Sequence, residues 1–246
     1  MICPLYKGKG EVSDPNNYRG ITLLSVISKI YTKILANGIQ KWADINGKVS
    51  PLQAGFRKGY STVDNILVVR VLIDKALKQK QGKLYGCFVD FEKAYDRVSR
   101  EALFYKLQRD GVSGSMIKRI QKIYERVEFC IKVGWDEIST NIDSEIGLRQ
   151  GCQLSPILFS LYINDIEDKL KSTETHPPNI AGELVRVLLY ADDLVIFSQT
   201  PIGIQRALNT LKEYCDEWKI RVNVQKTKVM AFKKGGKLSK NEKWWY

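Results

Sequence analysis

Three aspartates stand beside short apolar runs of the kind that form buried strands. Asp90 directly follows the apolar run 84–89, and Asp192 and Asp193 separate the apolar runs 184–189 and 194–197. An ionised carboxylate buried without a partner loses several kcal/mol of hydration free energy, so such groups are usually paired or bound to a metal. Carboxylates are preferred ligands of Mg²⁺, and two such ions roughly 3.5–4 Å apart can stabilise both oxygens of a phosphoryl transfer. If the three side chains converge, they form a site for that chemistry.

The Asp-Asp pair also has a simpler interpretation, because aspartate is common in turns, where its side chain hydrogen-bonds to the backbone. For an isolated pair that interpretation is favoured by about ten to one, since short motifs often occur by chance. The apolar runs on both sides of Asp192 and Asp193 reduce these odds without reversing them. The pair alone therefore does not establish a metal site.

The composition restricts the other chemistries. His176 is the only histidine, and the five cysteines contain no CxxC pair. Zinc binding and Ser-His or Cys-His nucleophilic catalysis are therefore not expected, and the cysteines indicate a reducing, intracellular compartment. No apolar run approaches the roughly 20 residues that a membrane span requires, so no membrane partner is expected.

The net charge is strongly positive. Lys and Arg number 39 against 27 Asp and Glu, which gives +12 at pH 7. Such an excess attracts polyanions, because binding to phosphates releases condensed counterions. A solvated basic surface has the same composition, so the charge favours nucleic-acid binding without establishing it.

Hydrophobic spacing predicts helices and strands in mixed order. Two helices are predicted from apolar stripes. The first stripe consists of Leu23, Ile27, Ile30 and Ile34, widened by Leu24, Tyr31 and Leu35, and the second consists of Ile66, Leu67, Val71 and Leu77. Further helices are predicted over 99–110, 116–124 and 204–218 and after Ser155-Pro156, and strands over 84–89, 127–133, 184–189, 194–197 and 229–232. Strands 184–189 and 194–197 form a hairpin with Asp192 and Asp193 at its tip. Because regular βαβ alternation is absent, the class is α+β.

Six blocks of the chain occur together in a recognisable order. They are residues 4–21, 53–62, 87–96 (CFVDFEKAYD), 147–159 (GLRQGCQLSPILF), 190–193 (YADD) and 223–227 (NVQKT). The series resembles the motifs of reverse transcriptases, most closely those of non-LTR (LINE-type) retrotransposons, and it covers nearly the whole chain.

The resemblance implies a right-hand polymerase fold in which an antiparallel sheet packs on helices. It implies fingers over 1–83, a palm over 84–232 with a fingers-side insertion at roughly 105–150, and a basic tail over 233–246 leading to a thumb that is absent. The implied activity is RNA-directed DNA polymerisation. The implied partners are an RNA template, a DNA primer, dNTPs and other domains of a longer retrotransposon polyprotein.

The resemblance also implies which residues would carry the chemistry. Asp90, the main-chain carbonyl of Phe91, and Asp192 would bind two Mg²⁺ ions (or Mn²⁺), with Asp193 close by. Lys226 would protonate the pyrophosphate leaving group. Without the resemblance, Lys226 would be interpreted as a surface lysine.

Four further residues, together with Phe91, would bind the incoming dNTP. Lys7 and Arg19 match fingers residues that grip the triphosphate, although Gly20 stands where that motif usually has proline. Tyr95 matches a steric gate against the ribose 2′-hydroxyl, and Gln150 matches a contact to nucleotide or template. Without the resemblance, Tyr95 would be a core aromatic residue, and Lys7 and Arg19 would be solvated side chains.

Three alternatives stay open at this point. The chain could be a truncated, non-catalytic remnant that only binds nucleic acid through its basic surface. It could be the reverse transcriptase of a group II intron or related bacterial element, although block 53–62 favours the non-LTR group. A DNA-templated polymerase shares the same two-metal chemistry, so the aspartates alone do not identify the template.

Overall fold

The structure is a computed structural model and describes residues 1–132, 137–239 and 242–246. The chain folds into two compact units. Unit 1 consists of Met1–Lys48 and Tyr95–Tyr162, and unit 2 consists of Val49–Ala94 and Ile163–Tyr246. Each unit is therefore assembled from two separate stretches of the chain. The division into fingers, palm and basic tail stays a prediction.

The described residues form short strands and mostly longer helices. In chain order, the strands are β1 (Ile2–Tyr6), β2 (Tyr18–Thr22), β3 (Leu84–Val89), β4 (Glu128–Phe129), β5 (Ile142–Asp143), β6 (Asn179–Ile180), β7 (Glu183–Leu184), β8 (Val187–Tyr190), β9 (Asp193–Ser198) and β10 (Lys228–Phe232). The helices are α1 (Val26–Ile45), α2 (Thr62–Lys78), α3 (Arg100–Arg109), α4 (Gly114–Tyr124), α5 (Ser155–Ile163), α6 (Ile166–Lys171) and α7 (Pro201–Glu217), and Pro15–Asn17 forms one 3₁₀ turn. None of the described helices is both long and apolar enough to cross a bilayer.

Unit 1 contains an antiparallel hairpin and several helices. β1 pairs with β2 along its full length, so the basic segment near the start of the chain connects two strands. Helix α1 begins after Ser25, whose hydroxyl accepts a hydrogen bond from the Ser28 amide at 3.2 Å. Ser99 and Ser113 cap α3 and α4 in the same way. These caps satisfy amides that the first helical turn leaves without a backbone partner.

Unit 2 is built on a four-stranded antiparallel sheet with the strand order β10-β3-β9-β8. Leu72 of α2 packs against Leu84, Leu188 and Phe197 of the sheet, and α7 contacts β3 and β9. The inner position of β3 explains why its sequence is almost continuously apolar. The predicted α+β class, with an antiparallel sheet packed on helices, is confirmed.

Helices α1 and α2 form where they were predicted, but their predicted apolar stripes face solvent. Ile27 is 81% exposed and Ile34 is 62% exposed in α1, and Ile66 is 65% exposed in α2. Of the predicted α1 stripe, only Leu35 is buried. The other buried residues are Thr32, Ala36, Ile39 and Ala43 of α1 and Leu72 of α2. Helical spacing identifies an apolar side of a helix, whereas tertiary packing decides which side is covered.

Two predicted strands are shorter than expected. The strand predicted over 127–133 is reduced to β4, and Val133 lies outside the described residues. Within 184–189, only β8 joins the main sheet, while β7 pairs with β6 in a separate small hairpin. The Val185 amide donates to the Pro178 carbonyl at 2.8 Å and not to β9. The first hydrogen bond with β9 is donated by the Phe197 amide to the Arg186 carbonyl.

The C-terminal residues dock on unit 2. Glu242 is 3% exposed, and its carboxylate accepts hydrogen bonds from Lys83 Nζ at 2.6 Å and from the Tyr85 hydroxyl at 2.5 Å. The Trp244 indole donates to the Pro201 carbonyl at 3.0 Å. The region predicted as a basic tail therefore includes a docked end as well as lysine-rich residues.

Candidate active site

The hairpin of β8 and β9 carries two of the predicted acidic residues at its tip. Tyr190 pairs with Asp193, which leaves Ala191 and Asp192 as a two-residue loop. Ala191 adopts a φ of 59°, in the left-handed region where a β-carbon crowds the backbone at a cost of roughly 1–2 kcal/mol. The tip conformation thus requires support from surrounding residues.

Asp90 meets this hairpin through the pairing of β3 with β9. The last pair of that register is Val89↔Leu194, so one further step brings Asp90 opposite Asp193. Partial burial, and after it the negative charges of Asp192 and Asp90, raise the pKa of Asp193 above its ordinary value. The three carboxylates predicted to converge therefore lie close enough to interact electrostatically, although they are separated by about a hundred residues of chain.

A turn at residues 223–227 holds the backbone of Asp90. The Asn223 amide donates to the Asp90 carbonyl at 2.7 Å, and the Asp90 amide donates to Thr227 Oγ1 at 3.1 Å. Lys226 belongs to the same turn, and its Nζ lies 3.9 Å from Asp90 Oδ1. Both side chains are substantially exposed, so this ion pair contributes little to stability and leaves the ammonium group accessible.

Phe91 is a buried residue directly after Asp90. Its side chain is 6% exposed, and its backbone bridges to Val222. The next amide, that of Glu92, donates to the Arg221 carbonyl at 2.8 Å. The backbone on both sides of Asp90 is therefore fixed by one neighbouring segment.

The donor set suits a hard divalent cation, since it consists of carboxylate oxygens whose mutual repulsion a cation would relieve. Within residues 1–132, 137–239 and 242–246, no three His, Cys, Asp or Glu side chains are already arranged tightly enough to hold an ion.

In unit 1, the hairpin of β1 and β2 brings together the two basic residues that were predicted to grip a triphosphate. Arg19 pairs with Leu5, and the Lys7 amide donates to the Asn17 carbonyl at 2.8 Å. Since alternate residues of a strand share a face, Lys7 and Arg19 lie on one face of the hairpin. Both are exposed, and Lys7 Nζ donates to the Asn16 carbonyl at 2.7 Å.

The loop that carries Gln150 packs against two other parts of unit 1. The Thr22 amide donates to the Gln150 carbonyl at 2.8 Å, and the Leu148 amide donates to the Tyr95 carbonyl at 2.8 Å. The Tyr95 ring stacks on Phe159 with 4.8 Å between the ring centroids. The structure thus brings Tyr95, Gln150 and the end of β2 together, beside a cavity of about 370 Å³ lined by Gln150, Thr22 and Gly147.

Several residues that hold this loop or the Asp90 backbone were not predicted. Arg100 is 8% exposed, and its guanidinium donates to the carbonyls of Ser144, Ile146 and Gly147 at 2.6–3.0 Å. Thr227 fixes Asp90 as described above. In the sequence, Arg100 has the appearance of an ordinary helix residue, whereas Thr227 lies inside block 223–227, which could have indicated it.

The fold is that of known telomerase structures. Apo telomerase from Candida tropicalis superposes with a TM-score of 0.62 at 15% identity, over 87% of this chain and 42% of that chain. Telomerase from Candida albicans, solved with a fragment of telomeric RNA, gives a TM-score of 0.61 at 14% identity, over 94% of this chain and 42% of that chain. The predicted polymerase fold is confirmed.

The family follows from the sequence of residues 7–244, which matches the model of the reverse transcriptase (RNA-dependent DNA polymerase) family. The chain therefore belongs to the reverse transcriptase family. Its relatives include the Pol polyprotein of the R2 retrotransposable element of Popillia japonica, 28% identical over 87% of this chain, and the polymerase of the mobile element jockey of Drosophila melanogaster, 25% identical over 94%. The chain spans only 29% and 25% of the length of these two relatives. The predicted likeness to non-LTR retrotransposon enzymes is confirmed.

Proposed function

We propose that this chain is the RNA-directed DNA polymerase module of a non-LTR retrotransposon protein. The observation that carries the proposal is the meeting of Asp90 with Asp192 and Asp193 at the end of the β3–β9 pairing. A non-catalytic, nucleic-acid-binding remnant is the alternative. It is not favoured, because an acidic cluster with a fixed backbone has no use in a remnant and costs electrostatic free energy.

In the proposed reaction, the primer 3′-hydroxyl loses its proton to solvent, a bond forms between the 3′-oxygen and the α-phosphorus of a dNTP, and the bond between the α-phosphorus and the pyrophosphate oxygen breaks. Asp90, the Phe91 carbonyl, Asp192 and Asp193 would hold two divalent ions, which we propose to be Mg²⁺, with Mn²⁺ as a substitute. When bound, such ions neutralise the charge that develops on the reacting oxygens.

The chain's own residues would orient the reactants and move the proton. The turn 223–227 fixes the backbone of Asp90, which would keep this residue beside the hairpin tip. Lys226 would donate a proton from Nζ to the leaving pyrophosphate, which requires the accessible position that it occupies beside Asp90.

The proposed roles of unit 1 concern the dNTP. Lys7 would supply a compact positive charge and Arg19 a planar fork of donors to the triphosphate. The Tyr95 ring would lie under the sugar, and Gln150 would contact the nucleotide or template. Residues 1–83 and 84–232 would then act as fingers and palm. An RNA template, a DNA primer and the other parts of a retrotransposon polyprotein would be the partners.

Primer extension tests the proposal. With Mg²⁺, dNTPs and a DNA primer on an RNA template, the wild-type chain should add nucleotides, and Asp192→Asn should reduce the addition to background. Asp168→Asn is the matched control, because Asp168 is an exposed carboxylate of α6 in the same unit. Equal extension by wild type and Asp192→Asn would reject the assignment. RNA binding without any extension would favour the remnant.

A further inference from the structure

Gln53 is a buried polar residue that binds the backbone of the hairpin tip. It is 1% exposed. Its Oε1 accepts hydrogen bonds from the Ala191 amide at 2.9 Å and the Gly55 amide at 2.8 Å, and its Nε2 donates to the Ala191 carbonyl at 3.2 Å. One side-chain amide thus satisfies both backbone groups of the residue that precedes Asp192.

The segment around Gln53 is itself fixed to the outer strand of the sheet. The Ala54 amide donates to the Leu189 carbonyl at 2.9 Å, and the Leu189 amide donates to the Leu52 carbonyl at 2.9 Å. Residues 52–54 therefore extend the sheet alongside β8. Because this backbone is anchored, the Gln53 side chain reaches Ala191 from a rigid support.

Gly55 adds a second, independent contact with the same residue. A β-carbon on Gly55 would overlap the Ala191 amide nitrogen, so only glycine permits this approach. Two backbone segments therefore meet at Ala191 without an intervening side chain.

The hairpin tip has a reason to move without such a support. Ala191 occupies the left-handed region at a φ of 59°, which a non-glycine residue avoids. A neutral amide that pairs with the Ala191 backbone opposes this strain and adds no charge to the site.

We propose that Gln53 is a positioning residue that fixes the Ala191 backbone, so that the carboxylates of Asp192 and Asp193 are held toward Asp90. This inference rests on the proposed function, because it assigns Gln53 a role in preparing the metal-binding carboxylates. Gln53 itself would contact neither substrate nor metal.

The experiment compares Gln53→Met with Gln205→Met. Methionine keeps the length of the side chain and removes its hydrogen bonds. Gln205 is a matched control, since its side-chain amide also pairs with both backbone groups of one residue, Trp245, at 2.7 and 2.9 Å, within the same unit. Gln53→Asn serves as a second variant if Gln53→Met does not fold, because it keeps an uncharged amide but is one methylene too short to make the same hydrogen bonds to Ala191.

Three quantities should change in Gln53→Met and not in Gln205→Met. Amide hydrogen exchange at Ala191 should become at least about tenfold faster, as expected when a buried hydrogen bond is lost. Mn²⁺ should bind about tenfold more weakly, and kcat for primer extension should fall about tenfold while KM for the dNTP changes less than about twofold. Gln53→Asn should also show faster Ala191 exchange than wild type.

Two outcomes would overturn the inference. The first is Ala191 exchange at the wild-type rate in the Gln53 variants, and the second is Mn²⁺ binding that Asp192→Asn abolishes and Gln53→Met leaves unchanged. Wild-type protein that binds no Mn²⁺ would instead reject the proposed metal site. In that case, Ala191 exchange still decides whether Gln53 fixes the tip, because exchange requires no metal.

Discussion

At the scale of single residues, the Tyr95 ring stacks on Phe159, and this contact opposes movement of the ring. A ring that excludes a 2′-hydroxyl has to be held in this way, because a mobile ring would yield to the larger sugar. Tyr95→Val should therefore raise the ratio of kcat/KM for rNTP over dNTP, by an amount that primer extension with each nucleotide measures.

Phe159→Leu is the control for this prediction. It removes the stack, which is worth about 0.5–1.5 kcal/mol, and keeps the Tyr95 ring. We expect a smaller change in sugar selectivity than for Tyr95→Val, with a comparable loss of stability in urea. If both variants discriminate against ribonucleotides as wild type does, Tyr95 is a core aromatic residue and not a gate.

The residues of the acidic cluster could be predicted, whereas the contacts that hold it could not. Asp90, Asp192 and Asp193 follow or join apolar runs, which is a local signal, and an antiparallel sheet then places them together. Thr227 and Gln53 both lie inside blocks of the resemblance, but they act on residues 137 and 138 positions away. Neither block specifies such a distant backbone partner, since that contact exists only after the sheet has formed.

At the scale of elements, the loop 147–151 requires a glycine at its first position for two reasons, its backbone conformation and its close approach to Asp96. Gly147 has a φ of 84°, and a β-carbon there would lie 2.6 Å from the Asp96 carbonyl oxygen. Gly147→Ala should therefore cost more than the roughly 1–3 kcal/mol of a strained backbone alone. It should also shift the loop that presents Gln150. Urea unfolding measures the first effect, and KM for the dNTP measures the second.

Gly111→Ala separates the destabilisation caused by backbone strain from the destabilisation caused by the close contact of a β-carbon. Gly111 has a φ of 91°, but a β-carbon there would meet nothing within 4 Å. It therefore reports the conformational strain without the close approach. A Gly147→Ala variant no less stable than Gly111→Ala would show that the loop relaxes away from Asp96.

The docked C-terminal segment should make stability depend on pH. Hydrogen bonds from Lys83 and then Tyr85 lower the pKa of Glu242 to about 2 from its usual 4.5. Because the pKa in the folded state is depressed, the stabilisation is fully present above about pH 4.5 and is lost as the pH falls toward 2. The stability difference between wild type and Glu242→Gln in urea should therefore shrink as the pH is lowered from 7 to about 3.

Glu217→Gln provides the comparison, because Glu217 is a half-exposed partner of Lys169 in the same unit. The free energy of unfolding of Glu217→Gln should differ little from that of wild type at every pH, as expected for a surface ion pair. If the difference in unfolding free energy between wild type and Glu242→Gln does not vary with pH, the Glu242 carboxylate is not held by Lys83 and Tyr85.

Helix positions were predictable from the sequence, whereas the covered sides of the helices were not. The spacing of apolar residues located α1 and α2 to within a few residues. However, α1 buries Ile39 and Ala43 rather than Ile27 and Ile34. A helix with apolar residues on more than one side has no unique inner face, and the neighbouring elements then determine which side is buried.

At the scale of the whole molecule, the net charge of +12 is not evenly spread. In unit 2, Lys83, Lys233, Lys234 and Lys237 line one cavity of about 250 Å³. It lies at the opposite end of β3 from Asp90, since Phe232 pairs with Leu84. Lys83 is paired with Glu242, so the other three lysines are the better candidates for phosphate contacts.

We predict that these three lysines carry a measurable part of RNA binding. For single strands, each phosphate contact contributes about −0.7 to the slope of log K against log salt concentration. Replacing Lys233, Lys234 and Lys237 by glutamine should therefore make the slope less steep by up to about 2. The control replaces Lys29, Lys33 and Lys41 of α1 by glutamine, which lowers the net charge from +12 by the same three units. Equal slopes for both triple variants would mean that the chain binds RNA through its overall charge, because a localised site responds only to the lysines that line it.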